Sequence, residues 1–199
     1  MPLPGSRPTA GHGKAADPAM KFTPLPLAGA LVIEPKVFPD DRGAFWEFYK
    51  HHLFSENGIL ESFVQDNQNL SGKGVLRGLH WQTPPMEQSK LVRAVAGSVY
   101  DVIVDIRKES KTYGRWHAET LSAANRKILY VPVGFAHGFL SLEEGSEVHY
   151  KVSNRYSPVH ERGLVWNDSR LGIRWPETGV SIRVSSRDQA FPTLDKTTF

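Results

Sequence analysis

Short stretches of hydrophobic residues, rich in β-branched and aromatic side chains, recur between residues 27 and 184 and are separated by Gly, Pro, Asn and Ser. Short apolar segments with turn residues between them are typical of a β-sandwich or β-barrel. The predicted strands are residues 44–49, 63–70, 75–82, 89–96, 98–106, 116–122, 127–131, 136–142, 147–153 and 180–184. One helix is predicted at residues 51–57, ending before Gly58. The pattern therefore predicts an all-β fold, a double-sheet jelly roll with a few short helical segments.

Polar residues occupy the hydrophobic face of several predicted strands. Side chains alternate between the two faces of a strand, so Lys90 and Tyr150 each share a face with valines of their own strand. Gln65, Asn67 and Asn69 share one face of a third strand. Either these groups lie near strand ends and reach solvent, or they line a polar cavity. Several such positions together favour the cavity, since buried polar groups need partners or a ligand.

Length and composition predict one folded domain with a tail. The chain has 199 residues, of which 40% are hydrophobic, which is enough to bury a core. Residues 1–19 are rich in Gly, Pro and Ala and carry almost no large apolar side chain. Such a segment cannot bury enough surface to offset its ordering entropy, so we expect a flexible tail followed by one domain over residues 20–199.

Charge and cysteine content exclude several classes of function. The 24 basic residues are scattered singly among 21 acidic ones, so no nucleic-acid partner is expected, although a few cations could hold an anionic ligand such as a nucleotide diphosphate. The absence of cysteine excludes a thiolate nucleophile and Cys-ligated metal sites. No apolar run approaches the roughly 20 residues of a membrane helix, and no signal-peptide pattern is seen. No membrane partner and a cytoplasmic location are expected.

Two histidines lie in recognisable motifs. His80 lies in residues 74–82, GVLRGLHWQ, and His137 in residues 132–137, PVGFAH. These segments resemble the two motifs of the cupin superfamily of small jelly-roll barrels, which implies a cupin-type fold. Gln82 stands where the first motif has its second histidine, and an amide is a poor ligand for Fe, Mn, Ni or Zn. A metal-dependent cupin enzyme is therefore disfavoured, no metal or cofactor is expected, and His80 is available for proton transfer.

Over residues 20–176 the chain resembles the dTDP-4-dehydrorhamnose 3,5-epimerase family. The shared blocks are residues 41–43 with Phe45 and Glu47, 63–67, 73–80, 90–93, 101–102 with Asp105, 134–139, 150–151 and 166–168. The resemblance implies a dTDP-4-keto-6-deoxy sugar as substrate and epimerisation at C3 and C5 through an enolate, in dTDP-L-rhamnose biosynthesis. It also implies a homodimer with strand exchange.

The resemblance assigns roles to particular residues. It implies that His80 is the base, oriented by Asp168, that Tyr150 is the proton donor across the sugar ring, and that Lys90 stabilises the enolate oxygen. The remaining residues are implied to bind substrate: Arg42, Phe45, Glu47, Gln65, Asn67, Asn69, Arg77, His137 and Tyr156.

Asn69 departs from the family, which commonly has Ser at this position. A bulkier amide near the sugar leaves open an enzyme that epimerises C3 alone. A barrel that binds a nucleotide sugar without catalysis is a further alternative, because His80 or Tyr150 taken singly could be an ordinary core residue.

Overall fold

The computed structural model describes residues 20–197, which fold into fourteen strands and three short helical segments. The strands are β1 (Met20–Pro24), β2 (Leu31–Pro35), β3 (Val37–Asp40), β4 (Gly43–Trp46), β5 (Gln65–Ser71), β6 (Val75–Gln82), β7 (Lys90–Ala96), β8 (Ser98–Asp105), β9 (Trp116–Ser122), β10 (Ile128–Val131), β11 (Phe135–Ser141), β12 (Ser146–Val152), β13 (Glu161–Gly163) and β14 (Arg183–Val184). The helical segments are α1 (His51–Glu56), α2 (Ser186–Gln189) and a 3₁₀ turn at Leu194–Lys196.

Two antiparallel sheets face each other, as the jelly-roll prediction requires. The first sheet has the strand order β1-β2-β10-β7-β12-β5, and the second has the order β13-β6-β11-β8-β9, with β14 added beside β6. A separate hairpin pairs β3 with β4. Non-sequential neighbours such as β7 and β12 show that long connections cross between the sheets. The all-β prediction is confirmed.

Alternation along the strands builds the core between the sheets. Val92 and Val148 from the first sheet pack in one cluster with Ile103, Leu121 and Phe135 from the second. All five side chains are buried, and full burial of such a side chain contributes about 1.5–3 kcal/mol. Polar residues on the inward faces, Lys90 and Tyr150 among them, line a cavity, and Tyr150 also packs against this apolar core.

A close approach between β6 and β11 shapes the base of the cavity. A Cβ added to Gly78 would lie 2.5 Å from the Cα of Gly138, so only glycine lets the two backbones meet there. The pairing register of these strands shifts between His137 and Phe139, and His137 lies opposite His80. The bulge and the two glycines thus bring both motif histidines side by side.

Some element boundaries differ from the sequence predictions. The predicted strand at residues 44–49 ends at Trp46, because the chain leaves the β3–β4 hairpin there, and the last predicted strand is reduced to Arg183–Val184. The sequence pattern does not predict strands β1, β2, β3 and β13, which are short and each contain a Pro or a Gly. The predicted flexible tail, residues 1–19, lies outside the described residues. Within residues 20–197, no helix is long and apolar enough to cross a membrane.

Candidate active site

A cavity of about 800 Å³ opens between the two sheets and gathers most of the predicted site residues. The first sheet contributes amides, a cation and a phenol, and the second contributes two imidazoles and a guanidinium. The predicted residues that line it are Gln65, Asn67, Asn69, Arg77, His80, Lys90, His137, Tyr150 and Tyr156. The polar-cavity interpretation of the strand pattern is therefore confirmed.

His80 is paired with a carboxylate that the sequence analysis missed. Its Nε2 lies 2.9 Å from Oδ1 of Asp188, and the backbone amide of Gly78 donates to the other oxygen of that carboxylate at 3.1 Å. Burial acts to raise the pKa of Asp188, but hydrogen bonding to His80, the positive charge of protonated His80, the Gly78 amide and the charge of Arg187 together lower this pKa to about 2. The arrangement holds an ionised carboxylate against the imidazole, which orients the ring and stabilises its protonated form.

Asp168 is not the partner of His80, so that prediction is wrong. Its Oδ1 accepts the amide of Arg170 at 2.8 Å and its Oδ2 accepts the amide of Leu194 at 2.7 Å. Asp168 is buried and ties two segments of the C-terminal chain together, outside the cavity lining. The local sequence marks Asp188 only as part of a helix start, since Ser185 three residues earlier caps α2 by accepting the Asp188 amide, and it does not indicate the pairing with His80.

Lys90 enters the cavity from β7 and is 7% exposed. Its Nζ donates to the backbone carbonyl of His80 at 3.3 Å. Burial lowers the pKa of Lys90 to about 8, against the opposing influence of Asp101 and Glu161. The ammonium group therefore keeps its charge at neutral pH and stands beside the strand that carries His80, where it can meet a negatively charged oxygen.

Tyr150 faces the cavity from β12, on the sheet opposite His80. Its ring packs against the apolar core, and burial raises the pKa of its hydroxyl, while Asn69 and Arg77 act in the opposite direction. The hydroxyl thus stays protonated at neutral pH and faces groups that can stabilise it when it loses its proton.

A second histidine–carboxylate pair lies next to the first. The Nε2 of His137 is 2.8 Å from Oδ1 of Asp101, which has no exposed surface. Burial raises the pKa of Asp101, and the nearby His137 and Lys90 oppose that rise. His137 lines the cavity from the second sheet, and Lys90 lines the same cavity from the first.

The predicted nucleotide-binding segment does not reach this cavity within the chain. Arg42 and Phe45 belong to the β3–β4 hairpin, where the Arg42 guanidinium pairs with Asp40 at 2.6 Å and the Phe45 side chain is 64% exposed beside Phe38. Glu47 follows the hairpin and pairs with Lys50 at 2.5 Å. Arg42 and Phe45 are therefore exposed to solvent, and none of the three predicted site residues lines the cavity that contains His80.

Gln82 lines the cavity and binds backbone groups of two loops. Its Nε2 donates to the carbonyls of Met86 and Arg155, and its Oε1 accepts the amide of Ser157. The amide thus anchors the loop between β12 and β13, the loop that carries Tyr156. Among residues 20–197, no group of three His, Asp or Glu side chains is placed to hold a metal ion.

Comparison with known proteins identifies the family. The dTDP-4-dehydrorhamnose 3,5-epimerase family model matches residues 24–196. A dTDP-4-dehydrorhamnose 3,5-epimerase of Salmonella typhimurium is 50% identical over 171 residues, which cover 85% of this chain and 93% of that protein.

Solved structures agree with this match. The structure of a dTDP-4-dehydrorhamnose 3,5-epimerase from Elizabethkingia anophelis has a TM-score of 0.87 and 42% identity, and the match covers 91% of this chain and 100% of the other. A 3,5-epimerase from Legionella pneumophila, solved with dTDP-4-keto-L-rhamnose, has a TM-score of 0.86 and 39% identity, covering 90% of this chain and 95% of the other. The chain therefore belongs to the dTDP-4-dehydrorhamnose 3,5-epimerase family.

Proposed function

We propose that His80 and Tyr150 exchange protons with a dTDP-4-keto-6-deoxy sugar held between them in the cavity. Family membership gives the reaction, which is epimerisation of dTDP-4-dehydro-6-deoxy-D-glucose at C3 and C5 to dTDP-4-dehydro-L-rhamnose, in dTDP-L-rhamnose biosynthesis. The observation that carries the residue assignment is that His80 and Tyr150 project into one cavity from opposite sheets. Inversion of a carbon centre requires proton removal from one face and proton delivery to the other, and this placement supplies both.

His80 is the base of the proposal. A ketone at C4 acidifies the hydrogens on C3 and C5, so an imidazole can remove one of them and leave an enolate. Asp188 fixes the ring through a 2.9 Å hydrogen bond and stabilises the imidazolium that forms. The proton is then held on His80 while the opposite face of the enolate is protonated.

Lys90 and His137 are proposed to stabilise the enolate oxygen. Negative charge develops on the C4 oxygen when the C–H bond breaks, and fixed donors in a site shielded from water stabilise that charge strongly. Lys90 is buried and charged at neutral pH, and His137 is held by Asp101 on the neighbouring strand. Arg77, whose guanidinium donates to Ser71 and Leu70, adds positive charge on the Tyr150 side.

The diphosphate and thymine are proposed to bind at the open side of the cavity. Gln65, Asn67 and Tyr156 line this region, and Gln65 donates to Asn67 and accepts the amide of Tyr156. Arg42, Phe45 and Glu47 lie on or beside the outward hairpin, so they can complete a nucleotide site only in another copy of the chain. We therefore propose a homodimer in which each hairpin reaches the cavity of its partner, where Phe45 stacks on thymine and Arg42 pairs with phosphate.

Epimerisation at C3 alone is the second candidate. Asn69 lines the cavity, and its side-chain hydrogen bond with the hydroxyl of Tyr150, the proposed acid, acts to lower the pKa of that hydroxyl. A change in how this hydroxyl is held would affect the two inversions unequally if the proton is delivered more readily to one of the two carbons than to the other. Binding of the nucleotide sugar without any proton exchange is the outcome expected of a non-catalytic barrel.

Solvent exchange in deuterated water tests these assignments. The wild-type protein, treated with EDTA, is incubated with dTDP-4-dehydro-6-deoxy-D-glucose, and deuterium at each carbon is followed by NMR. We expect label at both C3 and C5 of the product, and no label with His80→Ala. Label confined to C3 would establish the single-centre reaction, exchange by His80→Ala at the wild-type rate would refute His80 as the base, and loss of activity on EDTA treatment would indicate a metal.

A further inference from the structure

Two loops meet at the end of the cavity that Tyr156 lines. The first loop, residues 83–89, joins β6 to β7, and the second loop, residues 153–160, joins β12 to β13. Tyr156 belongs to the second loop and is 50% exposed. Its amide donates to Oε1 of Gln65 at 3.3 Å, and its hydroxyl donates to Glu161 at 2.9 Å. Because half of the residue faces solvent, the position of the ring depends on the loop backbone that carries it.

Gln82, the last residue of β6, binds both loops at once. Its Oε1 accepts the amide of Ser157 at 2.6 Å, and its Nε2 donates to the carbonyl of Arg155 at 3.2 Å. The same Nε2 donates to the carbonyl of Met86 in the first loop. Gln82 is only 5% exposed, so these contacts are shielded from water. The two contacts with the second loop lie on either side of Tyr156 in the chain and fix the backbone there.

The donor and acceptor groups of a side-chain amide suit this task. A carboxamide has two N–H donors and one carbonyl oxygen, and at Gln82 both the nitrogen and the oxygen are bound to backbone groups. A neutral imidazole has one donor and one acceptor, and a carboxylate has no donor, so neither could make all three contacts. With its two N–H groups directed at two carbonyls, Gln82 acts on the cavity through the loops.

Other contacts hold the two ends of the second loop. Gln88 donates to the carbonyl of Asn154, near the start of the loop, at 2.7 Å. The amide of Thr83 donates to the carbonyl of His160, at the end of the loop, at 3.0 Å. The middle of the loop, which presents its tyrosine to the cavity, is the part that Gln82 holds.

From these contacts we infer that Gln82 is a positioning residue for the nucleotide sugar, acting by fixing the loop that presents Tyr156. The inference rests on the proposed nucleotide site, to which Tyr156 belongs. A loop that is already ordered in the free protein does not have to be ordered by the ligand, so less of the binding free energy is lost. Without the Gln82 contacts the loop should be in its binding position for only part of the time, and the apparent Kd rises as that fraction falls.

The test compares Gln82→Met, Gln82→His and Tyr156→Ala with a matched control, Asn125→Leu. Methionine and leucine have nearly the size of the amides that they replace and lack their N–H donors and carbonyl oxygen. Asn125 also binds three backbone groups, at the turn between β9 and β10, and does not line the cavity. All proteins are kept in EDTA, because Gln82→His adds an imidazole to the strand of His80.

Three properties are measured for each protein: the Kd for dTDP by calorimetric titration, kcat and KM for dTDP-4-dehydro-6-deoxy-D-glucose, and amide hydrogen exchange of residues 154–157 without ligand. Gln82→Met should raise Kd and KM about 10-fold, which corresponds to a loop that is in place about one tenth of the time. The amides of residues 154–157 should exchange faster, and kcat should be retained. Gln82→His keeps one donor and one acceptor, so its Kd should be intermediate.

A double-mutant cycle tests whether Gln82 acts through Tyr156. Tyr156→Ala removes the ring, so adding Gln82→Met to it should change the Kd for dTDP little further. Asn125→Leu should lower the melting temperature, but its Kd, its KM and the exchange of residues 154–157 should match the wild type. The control thus separates a general loss of stability from a loss of loop positioning.

Three results would overturn the inference. Unchanged Kd and loop exchange in a folded Gln82→Met protein would remove the positioning role. A fall in kcat with unchanged KM would show that Gln82 acts on the strand of His80, and additive effects in the cycle would show that Gln82 does not act through Tyr156.

Two further controls keep the inference separate from folding and from the proposed function. If Gln82→Met does not fold, the Kd and the loop exchange of Gln82→His decide the same question. Absence of deuterium exchange into the substrate by the wild-type protein would refute the proposed reaction, whereas the dTDP titration and the loop exchange would still measure the role of Gln82.

Discussion

Nε2 of His80 lies 2.9 Å from Oδ1 of Asp188, a residue 108 positions later in the chain. The pair joins β6, in the second sheet, to the short helix α2 near the C-terminus. Asp188 is also held by the Gly78 amide, two residues before His80, so one carboxylate binds both the backbone and the ring of the same strand. The C-terminal segment thereby becomes part of the catalytic machinery that we propose.

Replacement of the two candidate carboxylates should give opposite phenotypes. Asp188→Asn leaves His80 without a charged partner, so we expect kcat to fall by about 100-fold, within the usual range for acid–base catalysis. Asp168→Asn removes one of two backbone contacts in a buried turn, and we expect a loss of about 1–2 kcal/mol in the free energy of unfolding with kcat retained. Steady-state kinetics and urea unfolding of both variants check this. Equal loss of kcat in a folded Asp168→Asn protein would contradict the assignment.

Lys90 should set the basic limb of the rate–pH profile. Burial lowers its pKa to about 8, so the ammonium loses its proton as the pH rises through that value. If the charged form stabilises the enolate, activity should decline above pH 8. Lys90→Met should be slow at every pH and should lack this limb. A basic limb that persists in Lys90→Met would assign it to another group.

Tyr150→Phe should separate proton removal from proton delivery. The phenylalanine ring retains the packing against the core but has no proton to donate. We therefore expect deuterium to enter the substrate from the His80 side, with the original configuration restored, and product formation to fall at least 10-fold. NMR of recovered substrate and product distinguishes the two events. Normal product yield from Tyr150→Phe would show that another group supplies the proton.

The outward hairpin can be tested by combining two variants, one inactive and one with weakened substrate binding, in a mixed dimer. His80→Ala disables the base, and Phe45→Ala removes an aromatic surface that is 64% exposed on the hairpin. If each hairpin completes the site of its partner, a mixed dimer contains one site with both residues intact. Co-expression should then recover activity at low substrate concentration, where Phe45→Ala alone is impaired by its raised KM. No recovery from a purified mixed dimer would show that the hairpin does not complete the nucleotide site of its partner.

Asp105 should stabilise the protein in a pH-dependent manner. Burial acts to raise the pKa of this carboxyl, but donors from Arg107, Ser110 and Thr112 outweigh it and lower the pKa to about 2. A lowered pKa in the folded state stabilises the fold above the unfolded value of 3.8, and the gain is lost as the pH falls toward 2. The lowered pKa of Asp105 should contribute about 2 kcal/mol to the free energy of unfolding at neutral pH.

Urea unfolding of Asp105→Asn as a function of pH measures this effect. The free energy of unfolding of Asp105→Asn should fall below that of the wild type by the largest amount at neutral pH, and this difference should become smaller between about pH 4 and pH 2. Glu109→Gln, at an exposed position of the same loop, is the control and should show no such dependence. A deficit that is constant over this range would mean that the packing around Asp105 matters more than its charge.

Local patterns in the sequence determined the fold class and much of the cavity. Strand alternation is a property of neighbouring residues, so it placed Lys90 and Tyr150 on inward faces, and the bounds of β6 and β9 agree with the prediction. The two glycine-containing motifs also marked His80 and His137, which the structure places opposite each other.

Tertiary structure alone decided which carboxylate reaches His80. Asp168 and Asp188 both lie in local contexts that favour backbone capping, Asn167-Asp168-Ser169 and Ser185 before α2, and nothing local distinguishes them. Their environments differ because β14 pairs with β6 and carries α2 to the cavity. The placement of Gln82, the ion pair between Arg187 and Glu161 and the outward hairpin depends in the same way on contacts between distant segments, which residue periodicity does not encode.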